Sequence, residues 1–158
     1  MPHAAPLALH RATVLPEWVD YNGHMNEAYY VLVFGHATDA FLDYIGMDDA
    51  TRRATDSSVY TLEAHINYLA EAHQGDRLAI ATQLLAHDAK RLHLYHAMQR
   101  ETDTALLATT ELMLLHVDKV GPRAAAFRPA TAARVAAIAA DHAGLGKPRH
   151  VGRVIGLG

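Results

Sequence analysis

Along residues 27–45 apolar side chains recur at three- and four-residue steps, at Tyr30, Val33, Phe34, Ala37, Phe41 and Ile45, the period of one helix face. The positions between them, Ala28, Tyr29, Val31, Leu32, Ala40 and Leu42, are also apolar. A helix apolar on most sides is expected inside a fold. Asn26 stands where an N-cap is wanted, Glu27 suits the positive end of the helix dipole, and Gly46 is placed just past the last turn. Gly35 is expected to let the helix press closely on a sheet. From Ser58 the period falls to two. Ser58, Tyr60, Leu62, Ala64, Ile66 and Tyr68 alternate with Thr61, Glu63, His65 and Asn67, a strand pattern. Gly75-Asp76 is a turn signal, and strands are expected over 77–87, 90–101 and 105–118, separated by Asp88-Ala89 and Thr102-Asp103.

The flanks complete the pattern. Leu7 to Leu15 reads as a first strand, closed by Pro16, which cannot donate to a ladder. Residues 47–56 are polar and short-sided and read as a surface loop. Pro129 to Ala143 is alanine-rich with Val135 and Ile138 as anchors, a terminal helix ending at Gly144. Residues 1–6 read as a loose arm, and 145–158, with four glycines, as a disordered or docked tail. Strands joined by tight turns pair antiparallel. The expected architecture is therefore α+β: a sheet of about five antiparallel strands wrapped around one long central helix, with a C-terminal helix, all in a single domain over 1–158.

Composition narrows the chemistry. The net charge of −3, with histidine neutral, offers no basic surface for nucleic acid. The absence of cysteine excludes disulfides, thiolate nucleophiles and Cys-based zinc sites. The start, Met1-Pro2-His3-Ala4, lacks the pattern of a secretory signal, and no uncharged apolar run approaches the roughly 20 residues of a membrane span. A cytoplasmic protein is expected. Twelve histidines raise the question of a metal, but His93 and His96 fall on opposite faces of a strand, and no helical ligand pair is evident, so no metal is expected. Neither a phosphate-cradling Gly-Lys loop nor a Gly-x-Ser-x-Gly elbow is present.

The remaining chemistry concentrates in Trp18-Val19-Asp20-Tyr21-Asn22-Gly23-His24-Met25-Asn26, directly ahead of the long helix. Asp20 is either a turn former or an acid that activates water or attacks directly. Gly23 permits positive φ, and the N–H groups near Gly23 and His24 are candidates to hold a carbonyl oxygen. His24 is either structural or a positioning group, and Asn26 reads mainly as a cap. Thr61, Glu63, His65 and Asn67 share a strand face that is either solvated or lines a cleft beside Asp20, with Glu63 as a candidate second carboxylate.

The run from Trp18 to Asn26, with Tyr30 following, resembles the signature of hotdog-fold acyl-CoA thioesterases of the 4-hydroxybenzoyl-CoA thioesterase type. Ile66-Asn67-Tyr68-Leu69 with Gly75-Asp76, and Ala108-Thr109-Thr110-Glu111, add to it. The resemblance implies a hotdog fold and hydrolysis of a small acyl-CoA thioester with no metal and no cofactor, coenzyme A being part of the substrate. Asp20 would be nucleophile or general base, backbone N–H groups at Gly23 and His24 would polarise the carbonyl, and His24 would position substrate or Asp20. It also implies a homodimer or homotetramer with sites between subunits, so that Glu63, His65 or Asn67 could serve a partner's site. Coenzyme A phosphates would meet basic residues, with Lys90 and Arg91 as the candidates. Two longer runs, Thr61 to Leu69 and Asp88 to His93, resemble the thioesterase branch found with carnitine dehydrogenases, which implies betainyl-CoA. A trimethylammonium group favours aromatic faces and carboxylates, for which Trp18, Tyr21, Tyr60, Tyr68 and Glu63 are available. A non-catalytic acyl-CoA-binding hotdog module is the alternative, as is a dehydratase using His36 and Asp39.

Overall fold

The apolar stripe of residues 30–42 finds its partner in a twisted antiparallel sheet. The computed structural model describes residues 4–158. Strand β1 (Leu7–Thr13) leads through a short 3-10 turn at Pro16–Trp18 to helix α1 (Glu27–Tyr44). A short helix α2 (Asp49–Thr55) precedes β2 (Ser57–Tyr68), β3 (Arg77–His87), β4 (Arg91–Arg100), β5 (Leu106–Asp118), a two-residue β6 (Arg123–Ala124) and helix α3 (Pro129–His142). The sheet order is β1-β3-β4-β5-β2, every pairing is antiparallel, and β6 adds to β5. This is the hotdog arrangement that the resemblance implies. Met1 to His3 of the expected arm lie outside the described residues. No described helix is long and apolar enough to cross a membrane.

Two apolar clusters anchor α1. Its first half sets Tyr30, Val33, Phe34 and Ala37 against Leu78, Ile80, Met98 and Leu107. Its second half sets Phe41, Leu42 and Ile45 against Leu84, Leu92, Leu94 and Leu114, with Val135 and Ile138 of α3 in the same cluster. The helix is not enclosed on all sides as its composition suggests. Val31 and Leu32 are 49% and 41% exposed, and Gly35 faces open space where a Cβ would stand. Gly35 lines an open cavity between α1 and the β2 side of the sheet, so it does not mediate close helix–sheet packing.

Two local features differ from the expected pattern, and the tail takes one of its two expected forms. Residues 49–55 are helical, started by Asp48, whose side chain accepts the Thr51 N–H at 2.8 Å. That helix buries no side chain, so it leaves no apolar period in the sequence. Strand β2 slips register between Thr61 and Glu63, making Leu62 an extra residue. The slip reverses which face each side chain meets, so Thr61 no longer shares a face with Glu63 and His65. The tail docks in part: Gln83 Nε2 donates to Gly146 O at 3.0 Å, and Gly152 N–H donates to Glu111 Oε1 at 2.7 Å.

His96 lies fully buried in the sheet under α1. Thr38 Oγ1 donates to Phe34 O, so it accepts from His96 Nε2 at 2.9 Å. Nδ1 then accepts from Thr82 Oγ1 at 2.8 Å. Burial pushes this imidazole down to about 4. The unfolded chain binds a proton near pH 6.5 that the native state refuses until about pH 4. Stability is therefore lost as pH falls from about 6.5 to 4, by roughly 3 kcal/mol from this residue. His10 and His142, also lowered by burial, add to the same slope. Urea midpoints measured between pH 4.5 and 7 will decline toward acid, and His96→Gln will flatten that decline.

Candidate active site

The loop ahead of α1 is shaped by one carboxylate. Asp20 Oδ1 accepts the N–H of Asn22 at 2.8 Å and of His24 at 3.3 Å. The Asp20 carbonyl accepts Gly23 N–H, and Asp20 N–H donates to His24 O, both at 2.9 Å. Gly23 turns the chain at φ 79°, which L side chains adopt at a cost. Val19 bridges Met25, and His24 bridges His73 in the turn after β2. Met25 N–H donates to Ala72 O and Asn26 N–H to Trp18 O. The loop is thus stitched to the 70–73 turn on one side and to its own base on the other.

The N–H groups of Gly23 and His24 were the expected donors, but both are spent on Asp20. Asn26 caps the helix as expected, its Oδ1 taking Ala28 N–H at 2.9 Å while its carbonyl takes Tyr29 N–H. Between Asn22 and Tyr29, Glu27 N–H alone has no acceptor among the described residues. It is the first amide of α1, at the positive end of the dipole, a position suited to stabilising an oxyanion.

Glu27 opens onto a cleft of about 360 Å3 whose walls include His24, Tyr30, Tyr68 and Glu71. Asp20 is not in this wall; it adjoins the cleft through His24. His24 Nε2 lies 3.1 Å from Glu71 Oε2. Tyr30 and Tyr68 meet edge to face with centroids 5.2 Å apart. The Tyr30 hydroxyl accepts Ala72 N–H and donates to Ala70 O, while Tyr68 donates to Glu27 O. Burial raises both phenols, which keeps them neutral. Arg100 holds the far side by donating to Glu71 O and pairing with Asp76 and Asp103. His24, Glu71 and His73 each place one ligand atom within 4.8 Å of the others, the one such group among the described residues.

Other expected site residues are dispersed within the chain. Trp18 stacks on Tyr29 at 5.6 Å and supports the core. Tyr21 is 98% exposed, and Tyr60 stands half-exposed outside the cleft. Glu63 and His65 turn to the sheet face away from α1, beside His93 and Glu111, because of the bulge at Leu62. His93 Nε2 pairs with Glu111 Oε2 there at 2.6 Å. Asn67 sits half-buried on β2 opposite Thr109, outside the cleft wall. Lys90 and Arg91 lie at the far end of β3, about 30 Å along the strand from the cleft. Asp88 ties that turn by accepting Lys90 N–H and Arg91 N–H and by pairing with the Arg91 guanidinium. Lys90 and Arg91 therefore do not converge with Asp20 in one chain. His36 and Asp39 border a separate cavity of about 600 Å3 between α1 and β2. Glu71 and His73 escaped the sequence reading because they sit in an aperiodic turn that reaches the loop through the His24–His73 bridge and the Met25 N–H to Ala72 O bond.

The model of the thioesterase-like superfamily matches residues 14–135. A betainyl-CoA thioesterase of Pseudomonas aeruginosa is 50% identical over 151 residues, covering 96% of this chain and 95% of that one. An L-carnitine dehydrogenase/betainyl-CoA thioesterase of Agrobacterium fabrum is 53% identical over 125 residues, 79% of this chain but only 25% of that protein. Among solved structures, a putative thioesterase of Pseudomonas putida superposes with TM-score 0.84 at 40% identity, over 100% of this chain and 99% of that one. A Staphylococcus aureus protein solved in complex with CoA superposes with TM-score 0.91 at 27% identity, over 98% of each chain.

Replacing Gly23 by alanine forces a side chain into the left-handed region with no steric clash around it. Gly23→Ala will lower stability by about 1–2 kcal/mol, read as a shift of the urea midpoint.

Proposed function

The chain belongs to the thioesterase-like superfamily of acyl-CoA hydrolases, and from that premise we propose that it cleaves betainyl-CoA to betaine and CoA. The observation that carries the reading is a single cleft lined by Glu27, whose helix-start amide has no acceptor among the described residues, by Tyr30 and Tyr68, and by a second carboxylate, Glu71. In betainyl-CoA the trimethylammonium is one methylene from the reacting carbonyl. A site for it must therefore hold a cation beside an oxyanion donor. Aromatic faces and carboxylates supply the first, and the free amide supplies the second.

In the proposed reaction Asp20 acts as general base or nucleophile. As base it takes a proton from water, and the oxygen adds to the carbonyl carbon. The negative charge that develops on the carbonyl oxygen falls on Glu27 N–H and the helix dipole. Collapse of the adduct breaks the C–S bond, and the thiolate takes back the proton held by Asp20 and leaves as the CoA thiol. His24 orients this step: its amide fixes Asp20, and its ring is held by Glu71. All these groups belong to the protein, so the proposed reaction uses no cofactor beyond the CoA of the substrate. The proposed compartment is the cytoplasm.

The assembly proposed is a homo-oligomer. Among the described residues strand β2 pairs only with β5, leaving one edge of a twelve-residue strand unpaired, with Tyr60 and Leu62 exposed on it and Val31 and Leu32 of α1 exposed beside it. Such an edge is usually covered. A second copy would also close the cavity between α1 and β2. Sedimentation at micromolar concentration will give at least a dimer; a monomer at that concentration overturns the assembly.

The reaction is tested by thiol release over a panel of CoA esters. Betainyl-CoA will be hydrolysed with higher kcat/KM than 3,3-dimethylbutyryl-CoA, its uncharged isostere, and Asp20→Asn will lower kcat by about 100-fold or more without unfolding the protein. Equal turnover of the two esters removes the cationic acyl group from the proposal. Full activity in Asp20→Asn removes Asp20.

A further inference from the structure

We propose that His24, Glu71 and His73 form a binding site for a divalent transition-metal ion of the zinc type, and that an ion held there inhibits the cleft. The donor set is imidazole, carboxylate, imidazole, all ligands of Zn2+ at bond lengths of about 2.0–2.2 Å. Ligand atoms in a tetrahedral set then stand about 3.3 Å apart. His24 Nε2 and Glu71 Oε2 are 3.1 Å apart already, and the third ligand atom lies within 4.8 Å of both. Small side-chain rotations close the set, and a fourth position stays open to water.

The backbone builds the site. His24 and His73 face each other across a β-bridge, their rings 5.2 Å apart. Met25 N–H donates to Ala72 O between them. His73 N–H is held by Asp76 Oδ2 at 2.9 Å, and the same carboxylate oxygen lies 3.8 Å from His73 Nδ1, adding negative charge beside that ring. The Glu71 carbonyl is held by Arg100. Both histidines and the carboxylate are thus fixed at their main chains, while their ring and carboxylate atoms remain partly open to solvent. Twelve histidines are spread along the chain, yet this is the one described group in which three ligand residues converge.

The site couples to the cleft because it consumes two of its walls. An ion on His24 and Glu71 replaces their mutual contact and puts a fixed positive charge beside Glu27. It excludes a cationic acyl group and fills space that a thioester needs.

The test uses the full chain, treated with chelator and dialysed. Calorimetric titration with ZnCl2 alone will show one equivalent bound per chain. Co2+ in its place will give the intense visible bands of tetrahedral coordination. Loss of an outer-shell partner costs about 10–100-fold in metal affinity, and removal of a ligand costs at least as much, so His73→Ala will weaken Zn2+ by about tenfold or more. His73 lies outside the cleft wall, so the same variant will keep metal-free thioester hydrolysis and lose sensitivity to Zn2+. Glu71→Gln, a nearly isosteric change, checks the second ligand by the same titration. No stoichiometric binding, or Zn2+ bound equally by wild type and both variants, overturns the site. Binding is read without substrate, so this result stands apart from the fate of the proposed hydrolysis.

Discussion

The Asp20 carboxylate sets the shape of everything at the mouth of α1. A carboxylate accepts several hydrogen bonds and donates none. By accepting Asn22 and His24 N–H it folds its own loop back on itself, and the Asp20 carbonyl takes Gly23 N–H in the same turn. The amides nearest the acid are therefore occupied by it. Asn26 then consumes the next two inside the helix. Between Asn22 and Tyr29 the one amide left without an acceptor among the described residues is that of Glu27, at the positive end of the helix dipole. A single free donor at a defined place is a consequence of the others being satisfied. Asp20 thus has a structural task, carried by Oδ1 in both loop contacts, and on the proposed reading a chemical one as well.

The periodic parts of this chain were legible because periodicity reports burial. The α1 stripe, the four consecutive strands and α3 appear close to their expected bounds. The N-cap at Asn26 and the left-handed Gly46 follow from residue type alone. Features that bury nothing or break the period were not legible. Helix α2 has no apolar stripe to show. The bulge at Leu62 inserts one residue and turns a uniform polar face into two half-faces, which moves Glu63 and His65 away from the cleft side. The site itself was half legible. Asp20 and His24 stand out from their motif, whereas Glu71 and His73 depend on a bridge between segments almost 50 residues apart.

The two faces of the sheet carry different burdens. The α1 face holds the cleft, the buried His96 and the exposed helix stripe. The other face carries Glu63, His65, His93 and Glu111, and its polar row is used to dock the tail through Gly152. A polar strand face can thus look like a site and serve as a clasp. The distinction lies in where the hydrogen bonds end: at a main-chain amide of the tail on one face, at an open cleft on the other.

Charge places a further constraint on how a CoA ester would lie. A betainyl-CoA molecule is cationic at one end and strongly anionic at the other. The cleft has Glu27 and Glu71 in its wall, and its nearest guanidinium, Arg100, is already committed to Asp76, Asp103 and a carbonyl. Such a pocket attracts the acyl end and repels the phosphates, so the nucleotide must leave the cleft rather than fold back along it. The basic turn at Lys90 and Arg91 lies about 30 Å away in the same chain, at the opposite end of the sheet. On the proposed reading, any role for that turn in holding CoA requires it to come from a neighbouring copy, which ties substrate polarity to assembly through nothing more than the distance between two ends of one strand.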